Sequence, residues 1–188
     1  DLPPGRVETM RHAAPLHDVG KLGIPDQVLL KPGRLDEAEW VVMRTHTTLG
    51  SELLAGSDSN VIQMGQTIAR SHHERWDGSG YPYGLRGEFI PLGARILSIA
   101  DAFDAIKVPE SDPETRNLIA LRILRIASGT QFDPSLVATA IDRILHQCHR
   151  GRVSALNEWD ERWMIGQDFA DVRPTRREMG AILSPLHR

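Results

Sequence analysis

The chain has 188 residues, a formal net charge of −3 and a single cysteine, Cys148. That length suits one domain with a sizeable core. The balanced charge argues against a nucleic-acid polymer as partner, and the lone cysteine excludes an internal disulfide framework and fits a reducing, cytoplasmic setting.

No apolar run approaches the roughly 20 residues of a membrane span, and Asp1-Leu2-Pro3-Pro4-Gly5 has neither the basic nor the apolar region of a secretory leader. Helix signals dominate from the start. Pro3-Pro4 precede a predicted helix over about 7–19, with Met10, Ala13, Ala14 and Leu16 apolar and Gly20 as the residue that ends it. His17 and Asp18 then fall on its last turn. Residues 21–25 read as an extended connector and Lys31-Pro32-Gly33-Arg34 as a turn. Asp36-x-x-Glu39 has the form of a capping box, opening a helix through Trp40 and Met43 to His46, with a short helix from Thr48 to Leu54 after it.

Val61, Met64, Ile68 and His72 share one face of the next predicted helix. His72-His73-Glu74 close it, and a loop with Gly78, Gly80, Pro82, Gly84 and Gly87 follows. A helix over about 93–106 carries Ile96, Ile99, Ala100 and Phe103 inward, and another covers 116–127. Asp133-Pro134 open a helix to Cys148, with Val137, Ile141, Ile144 and Leu145 inward. Beyond Gly151 the pattern weakens. Trp159 and Trp163 stand one turn apart in a predicted helix over 157–165, facing either the core or a second copy of the chain. No strand is predicted. The expected fold class is all-α, a helical bundle over residues 1–150 with a helical extension over 151–188.

Six residues in this frame could carry chemistry: His17, Asp18, His46, His72, His73 and Asp101. Taken singly, a histidine on an apolar stripe reads as a hydrogen-bonded core residue, and Asp101 as half of a surface ion pair. Taken together, on four separate helices, they suit a two-metal centre in a bundle core. Asp18 can bridge two cations through its two oxygens. His17 would complete one coordination sphere, His46 and His72 the other, and Asp101 would add a second carboxylate. Mixed imidazole and carboxylate ligation suits iron, manganese or zinc better than magnesium. Two such ions about 3.5–4 Å apart can hold a bridging hydroxide for in-line attack on phosphorus. On a continuous helix His73 would point about 100° away from His72, which leaves it a further ion, a substrate contact or a backbone hydrogen bond. Lys21 reads as a phosphate contact or a solvated loop lysine. Asp104, three residues after Asp101, reads as an outer acceptor that orients a ligand or substrate base. His12, His146, His149 and His187 match no ligand pattern.

The ordered set His17-Asp18-x-Gly20-Lys21, His46, His72-His73-Glu74-x-x-Asp77-Gly78-x-Gly80-Tyr81-Pro82, Arg95-Ile96, Asp101-x-x-Asp104 and Gly129-Thr130-Gln131-Phe132-Asp133-Pro134 resembles the HD-GYP family, over roughly residues 10–140. That family belongs to the HD phosphohydrolases, all-helical and metal-dependent. The resemblance implies hydrolysis of cyclic di-GMP to pGpG or onward to GMP, at two or three metal ions, often iron. By position it implies metal ligation by His17, Asp18, His46, His72, His73 and Asp101, with Asp18 bridging and catalytic. Lys21 would contact phosphate and serve catalysis, and Asp104 would help hold the ligand. Gly80, Tyr81 and Pro82 would border the substrate and dock GGDEF-type cyclase domains, and a receiver or sensory module would usually be fused to such a domain.

The resemblance departs in two places. The family has a further helix before the His-Asp helix, supplying another ligand, often His or Glu, and this chain is expected to begin after it. Past Ile106 the family has Arg and Lys residues that contact substrate, whereas here Ile106 runs straight into Lys107-Val108-Pro109-Glu110. That stretch is either lost or omitted from the written chain, and omission is the expectation. Two other functional readings remain: a catalytically weak cyclic di-GMP receptor that signals through protein contacts, and a hydrolase of another nucleotide. The complete ligand set favours the enzyme.

Overall fold

The computed structural model describes residues 2–105 and 113–149, and among them the protein is helical with no strand, only an isolated bridge between Ser128 and Phe132. Helix α1 (Pro4–Ala13) begins with proline at its first position, where the missing N–H costs nothing. It ends six residues short of the predicted 7–19. Pro15 is the reason: it lacks the N–H that would continue the α-helical ladder to the Arg11 carbonyl, and its ring crowds that carbonyl. The chain tightens instead into a 3₁₀ turn, Ala14–Leu16, then a second, Val19–Gly23, where an extended connector was predicted. His17 and Asp18 therefore lie between two tight turns rather than on a helix end. The second turn lies flush on the start of α4. A Cβ on Gly20 would fall 1.9 Å from the His46 carbonyl oxygen and 2.4 Å from the Gly50 nitrogen. Only glycine permits this approach, and it brings the Asp18 backbone beside His46.

After a one-turn helix α2 (Asp26–Leu29), the predicted capping box opens α3 (Glu37–Arg44). Asp36 Oδ1 accepts from the Glu39 N–H at 2.9 Å and Glu39 Oε2 accepts from the Asp36 N–H at 2.8 Å. α3 stops at Arg44, and His46 opens α4 (His46–Leu53) instead of closing α3. α5 (Asn60–Ser71) is the central element, packed on α1, α4 and α6, with Ile68 and Ala69 fully buried. Val61 and Met64, predicted on the same stripe, are half-buried.

α6 (Leu92–Ala105), α7 (Pro113–Ile126) and α8 (Pro134–His149) form the other end of the molecule. Their core is Ile99, Ala102, Leu124, Phe132 and Val137, with Phe103 and Ile141 against it. Burying Phe132 or Leu124 contributes about 2–3 kcal/mol each. Ala100, predicted inward, is exposed, and Ala102 is buried in its place. Asp133 caps α8 as expected, accepting from the Ser135 N–H at 2.9 Å. The loop before it accepts backbone hydrogen bonds from Trp76 (to Gln131) and Asp77 (to Thr130), which ties α7–α8 to the chain just after the histidine pair. No helix among the described residues is long and apolar enough to cross a membrane. The chain is continuous from 105 to 113, so the expected omission does not hold. Residues 106–112, and the predicted extension over 151–188 with Trp159 and Trp163, lie outside the described residues, as does Cys148's side chain.

Candidate metal centre

α5 ends at Ser71, so His72 is its C-cap and His73 lies beyond it. The helical geometry that would send the two rings about 100° apart does not apply. Their centroids are 4.1 Å apart, and Asp18, His46, His72 and His73 each offer one ligand atom within 4.8 Å of all the others. His17 and Asp101 join from the side. His17 Nε2 is 3.3 Å from Asp18 Oδ2 and 3.8 Å from Asp101 Oδ1, and its ring meets that of His72 edge-on at 5.1 Å. All six predicted ligands thus converge. Asp18 stands between two groups: Oδ1 faces His46 at 3.5 Å and His72 at 3.8 Å, while Oδ2 faces His17 and Lys21.

Hydrogen bonds fix which imidazole nitrogen faces inward. Nδ1 of His17 lies 2.9 Å from the Ala14 carbonyl, Nδ1 of His46 2.7 Å from Met43, and Nδ1 of His72 3.0 Å from Ala69. A carbonyl only accepts, so each Nδ1 carries the hydrogen; the neutral His46 and His72 rings then turn the Nε2 lone pair to the centre, while His17 Nε2 faces the Asp18 carboxylate. The Nε2 atoms of His46 and His72 are then 3.4 Å apart, lone pair against lone pair. Asp18 Oδ1 is buried beside them with no hydrogen-bond partner. Buried polar atoms left this way cost free energy unless something with positive charge completes them.

Electrostatics point the same way. Burial, reinforced by His17 and His46, pushes the His72 pKa down to about 3. Burial also lowers His46, and takes His73 well below 6.5. For Asp18, burial acts upward, but hydrogen bonds from His17 and Lys21 outweigh it and hold the carboxyl far below the usual carboxylate range. The site at neutral pH is therefore an ionised aspartate among imidazoles that resist protonation, the state in which these groups bind metal. His17 is the exception: burial lowers it, yet Asp18 beside it raises it overall. Asp101 is raised, chiefly by burial. The donor set, the orphaned oxygen and the facing lone pairs fit transition-metal cations.

The cluster opens on a cleft of about 800 Å³, whose walls include Lys21, His72, His73, Gly80, Tyr81 and Asp101. Lys21 Nζ donates to Asp18 Oδ2 at 2.5 Å, so it is not a free loop lysine. Tyr81 stacks on His73 at 4.8 Å and 22°, and its buried hydroxyl has no partner. Pro82 follows through a cis bond and does not line the cleft. Asp104 is exposed, also outside the lining, and reaches the site only through its charge, which adds to the raising of Asp101.

Two groups carry weight to which the sequence reading assigned no role. Glu74 is buried and accepts from the Tyr83 and Leu85 N–H groups at 2.8 and 2.9 Å, tying the glycine-rich loop back to the end of α5. Burial raises its carboxyl, and those N–H groups oppose the rise. Arg44 lies with its guanidinium carbon 5.4 Å from the Tyr81 ring centroid. An acid next to two histidines and an arginine two residues before one were the only hints available.

Comparison with known proteins agrees with this geometry. Residues 1–136 match the HD domain family. The chain is 52% identical over 132 residues to a cyclic di-GMP phosphodiesterase response regulator of Xanthomonas campestris pv. campestris, a stretch of 70% of this chain and 35% of the relative. It is 46% identical over 133 residues to a cyclic di-GMP phosphodiesterase of Thermotoga maritima, covering 70% and 36%. A 3'3'-cGAMP-specific phosphodiesterase 2 of Vibrio cholerae is 43% identical over 143 residues, covering 75% and 27%. The chain thus spans about a third of the length of these curated relatives. It belongs to the HD domain family, with the signature of its HD-GYP members.

Proposed function

We propose that the chain is the catalytic domain of a metal-dependent phosphodiesterase acting on a cyclic dinucleotide, with cyclic di-GMP as the substrate. The observation that carries this reading is the inward-facing lone pairs of His46 and His72 beside the orphaned Asp18 oxygen. It is supported by relatives named as cyclic di-GMP phosphodiesterases. His17, Asp18, His46, His72, His73 and Asp101 would hold two cations, iron by preference and manganese or zinc otherwise, with Asp18 shared between them. Bound there, such cations acidify water and withdraw charge from a phosphoryl oxygen. The chain's own groups do the rest. Asp18 stays ionised, the Nδ1–H bonds keep the imidazoles aimed inward, and Lys21 at the cleft wall pairs with a phosphate oxygen. Water adds at phosphorus, the bond to the 3′-oxygen breaks, and that oxygen takes a proton, giving linear pGpG. A second cleavage would give GMP.

In this reading residues 1–150 form the catalytic unit and 151–188 an extension of it. The Gly80-Tyr81-Pro82 loop would meet a partner, a GGDEF domain by family expectation. A receiver or sensory domain elsewhere in the full-length protein would supply the input, and a homodimer would be one form of the assembly. A cytoplasmic setting suits the single cysteine and the nucleotide substrate. The test is metal analysis together with turnover of cyclic di-GMP, 3'3'-cGAMP and pGpG by the purified chain. Metal-dependent cleavage of cyclic di-GMP is expected. A protein that binds metals and cyclic di-GMP and cleaves neither the cycle nor pGpG would be a receptor, and preference for 3'3'-cGAMP, as in the Vibrio cholerae relative's name, would move the substrate assignment.

A further inference from the structure

Three of the four imidazoles at the cluster are aimed by a backbone carbonyl: Ala14 for His17, Met43 for His46 and Ala69 for His72. His73 is not. Its ring makes no hydrogen bond among the described residues and meets other rings instead, those of His46, His72 and Tyr81. It also stands past the end of α5, so the helix does not direct it. Of the three rings only Tyr81 belongs to no expected ligand, and it stacks on His73 at 4.8 Å and 22°. The backbones meet as well. The Tyr81 N–H donates to the His73 carbonyl at 3.3 Å. A Cβ on Gly80 would fall 2.6 Å from that same oxygen and closer still to the Arg75 nitrogen, so glycine lets the returning chain lie flat on residues 73–75. Apolar burial does little to hold this loop, since none of residues 75–89 is more than partly buried. Every hydrogen bond that residues 81–85 make among the described residues ends on His73 or Glu74. Glu74 is the buried member, one oxygen on the Tyr83 N–H and the other on that of Leu85.

Resting on the metal-centre reading above, we infer that Tyr81 and Glu74 are positioning residues for His73. The Tyr81 ring fixes the angle at which the His73 imidazole faces the metal, the task that a carbonyl performs for the other three. The Glu74 carboxylate holds Tyr81 on that ring by gathering the N–H groups two and four residues further on. A ligand held this way has lost its rotational freedom before the metal arrives. Partners that orient a ligand in this manner are worth about 10–100-fold in metal affinity.

The experiment titrates manganese(II) into the metal-free chain and follows the electron paramagnetic resonance signal of the free ion. It compares the wild type with Tyr81→Phe, Tyr81→Leu and Glu74→Ala, each with His73 intact and with His73→Ala. Helicity is checked throughout, and Glu74→Gln, which keeps one acceptor oxygen, replaces Glu74→Ala if that variant loses its helices. With His73 intact, Tyr81→Leu and Glu74→Ala should lower the affinity about ten-fold or more, and Tyr81→Phe, which keeps the stack, should not. With His73→Ala none of the three should lower it further, because positioning then has no ligand to act on. Losses that persist without His73 overturn the inference, as does a Tyr81→Phe loss equal to that of Tyr81→Leu, or an affinity that no variant changes. If the wild type binds no manganese, the metal-centre reading fails for that ion, and the stack is judged in the metal-free chain by NMR. Glu74→Ala must then shift the His73 ring protons downfield as they leave the Tyr81 ring current, and unchanged shifts overturn the inference.

Discussion

Arg95 and Asp133 meet at 2.7 Å in the α6–α8 end of the molecule, and both oxygens of the carboxylate are taken up by their surroundings. One Asp133 oxygen takes Arg95 Nη1, the other takes the N–H and hydroxyl of Ser135, and the guanidinium lies over Trp76, leaving Arg95 Nε without a partner. At the other end, the His46 and His72 rings and the Asp18 oxygen that faces them are also buried, and they are not closed. A carboxylate oxygen has no donor and two ring nitrogens face each other with no proton between them. Buried polar groups that the protein satisfies are architecture, and buried polar groups that it leaves convergent and unsatisfied wait for a ligand.

The largest expected effect removes the shared residue of the open site. Asp18→Ala should abolish both metal retention and hydrolysis, read by metal analysis and turnover. Full metal content in that variant would contradict the bridging role. Breaking the closed site should do the opposite. Asp133→Ala should cost about 3 kcal/mol, because it strands the Arg95 charge, and leave metal content intact. Denaturant unfolding and metal analysis together check this, and a loss of metal would erase the distinction between the sites.

That pair also has a pH signature. Burial acts to raise the Asp133 carboxyl, but Ser135 and Arg95 outweigh it and hold it below its ordinary 3.8. The unfolded chain then binds more protons than the folded one between the two values, so this part of the stability is present above about pH 4 and is lost on acidification through the folded value. In Asp133→Asn the fall in unfolding midpoint between about pH 5 and 3 should be shallower. Two smaller effects follow. Lys21→Ala should raise the KM for cyclic di-GMP about ten-fold with metals kept, in steady-state kinetics beside metal analysis. Asp36→Ala should cost about 1 kcal/mol through the lost α3 cap, read by denaturant unfolding, and leave metal content unchanged.

The legible parts of this protein were local. The Asp36–Glu39 box and the Asp133 cap lie within one turn of the backbone they satisfy, and the Ile68–His72 stripe needs only helical periodicity. The six-ligand set was legible because those residue types stand in the order and company of motifs that the HD-GYP resemblance requires. Backbone endings were less so. Pro15 stops α1 early, and the end of α5 at Ser71 turns His73 toward His72, a direction that periodicity cannot give once the helix has stopped. Tertiary neighbours were not legible at all. Nothing along the chain shows that Gly20 must pass the His46 carbonyl, that Glu74 holds Tyr83 and Leu85, or that Arg44 stacks on Tyr81, since each depends on residues brought together by the fold.

The most direct test of the open site is anomalous scattering from crystals of the chain loaded with iron or manganese. Two peaks about 3.5–4 Å apart, one on each side of the Asp18 carboxylate, with His46 and His72 on one and His17 on the other, are the predicted result. Peaks elsewhere, or a single ion that leaves either Asp18 oxygen without a cation, would contradict it.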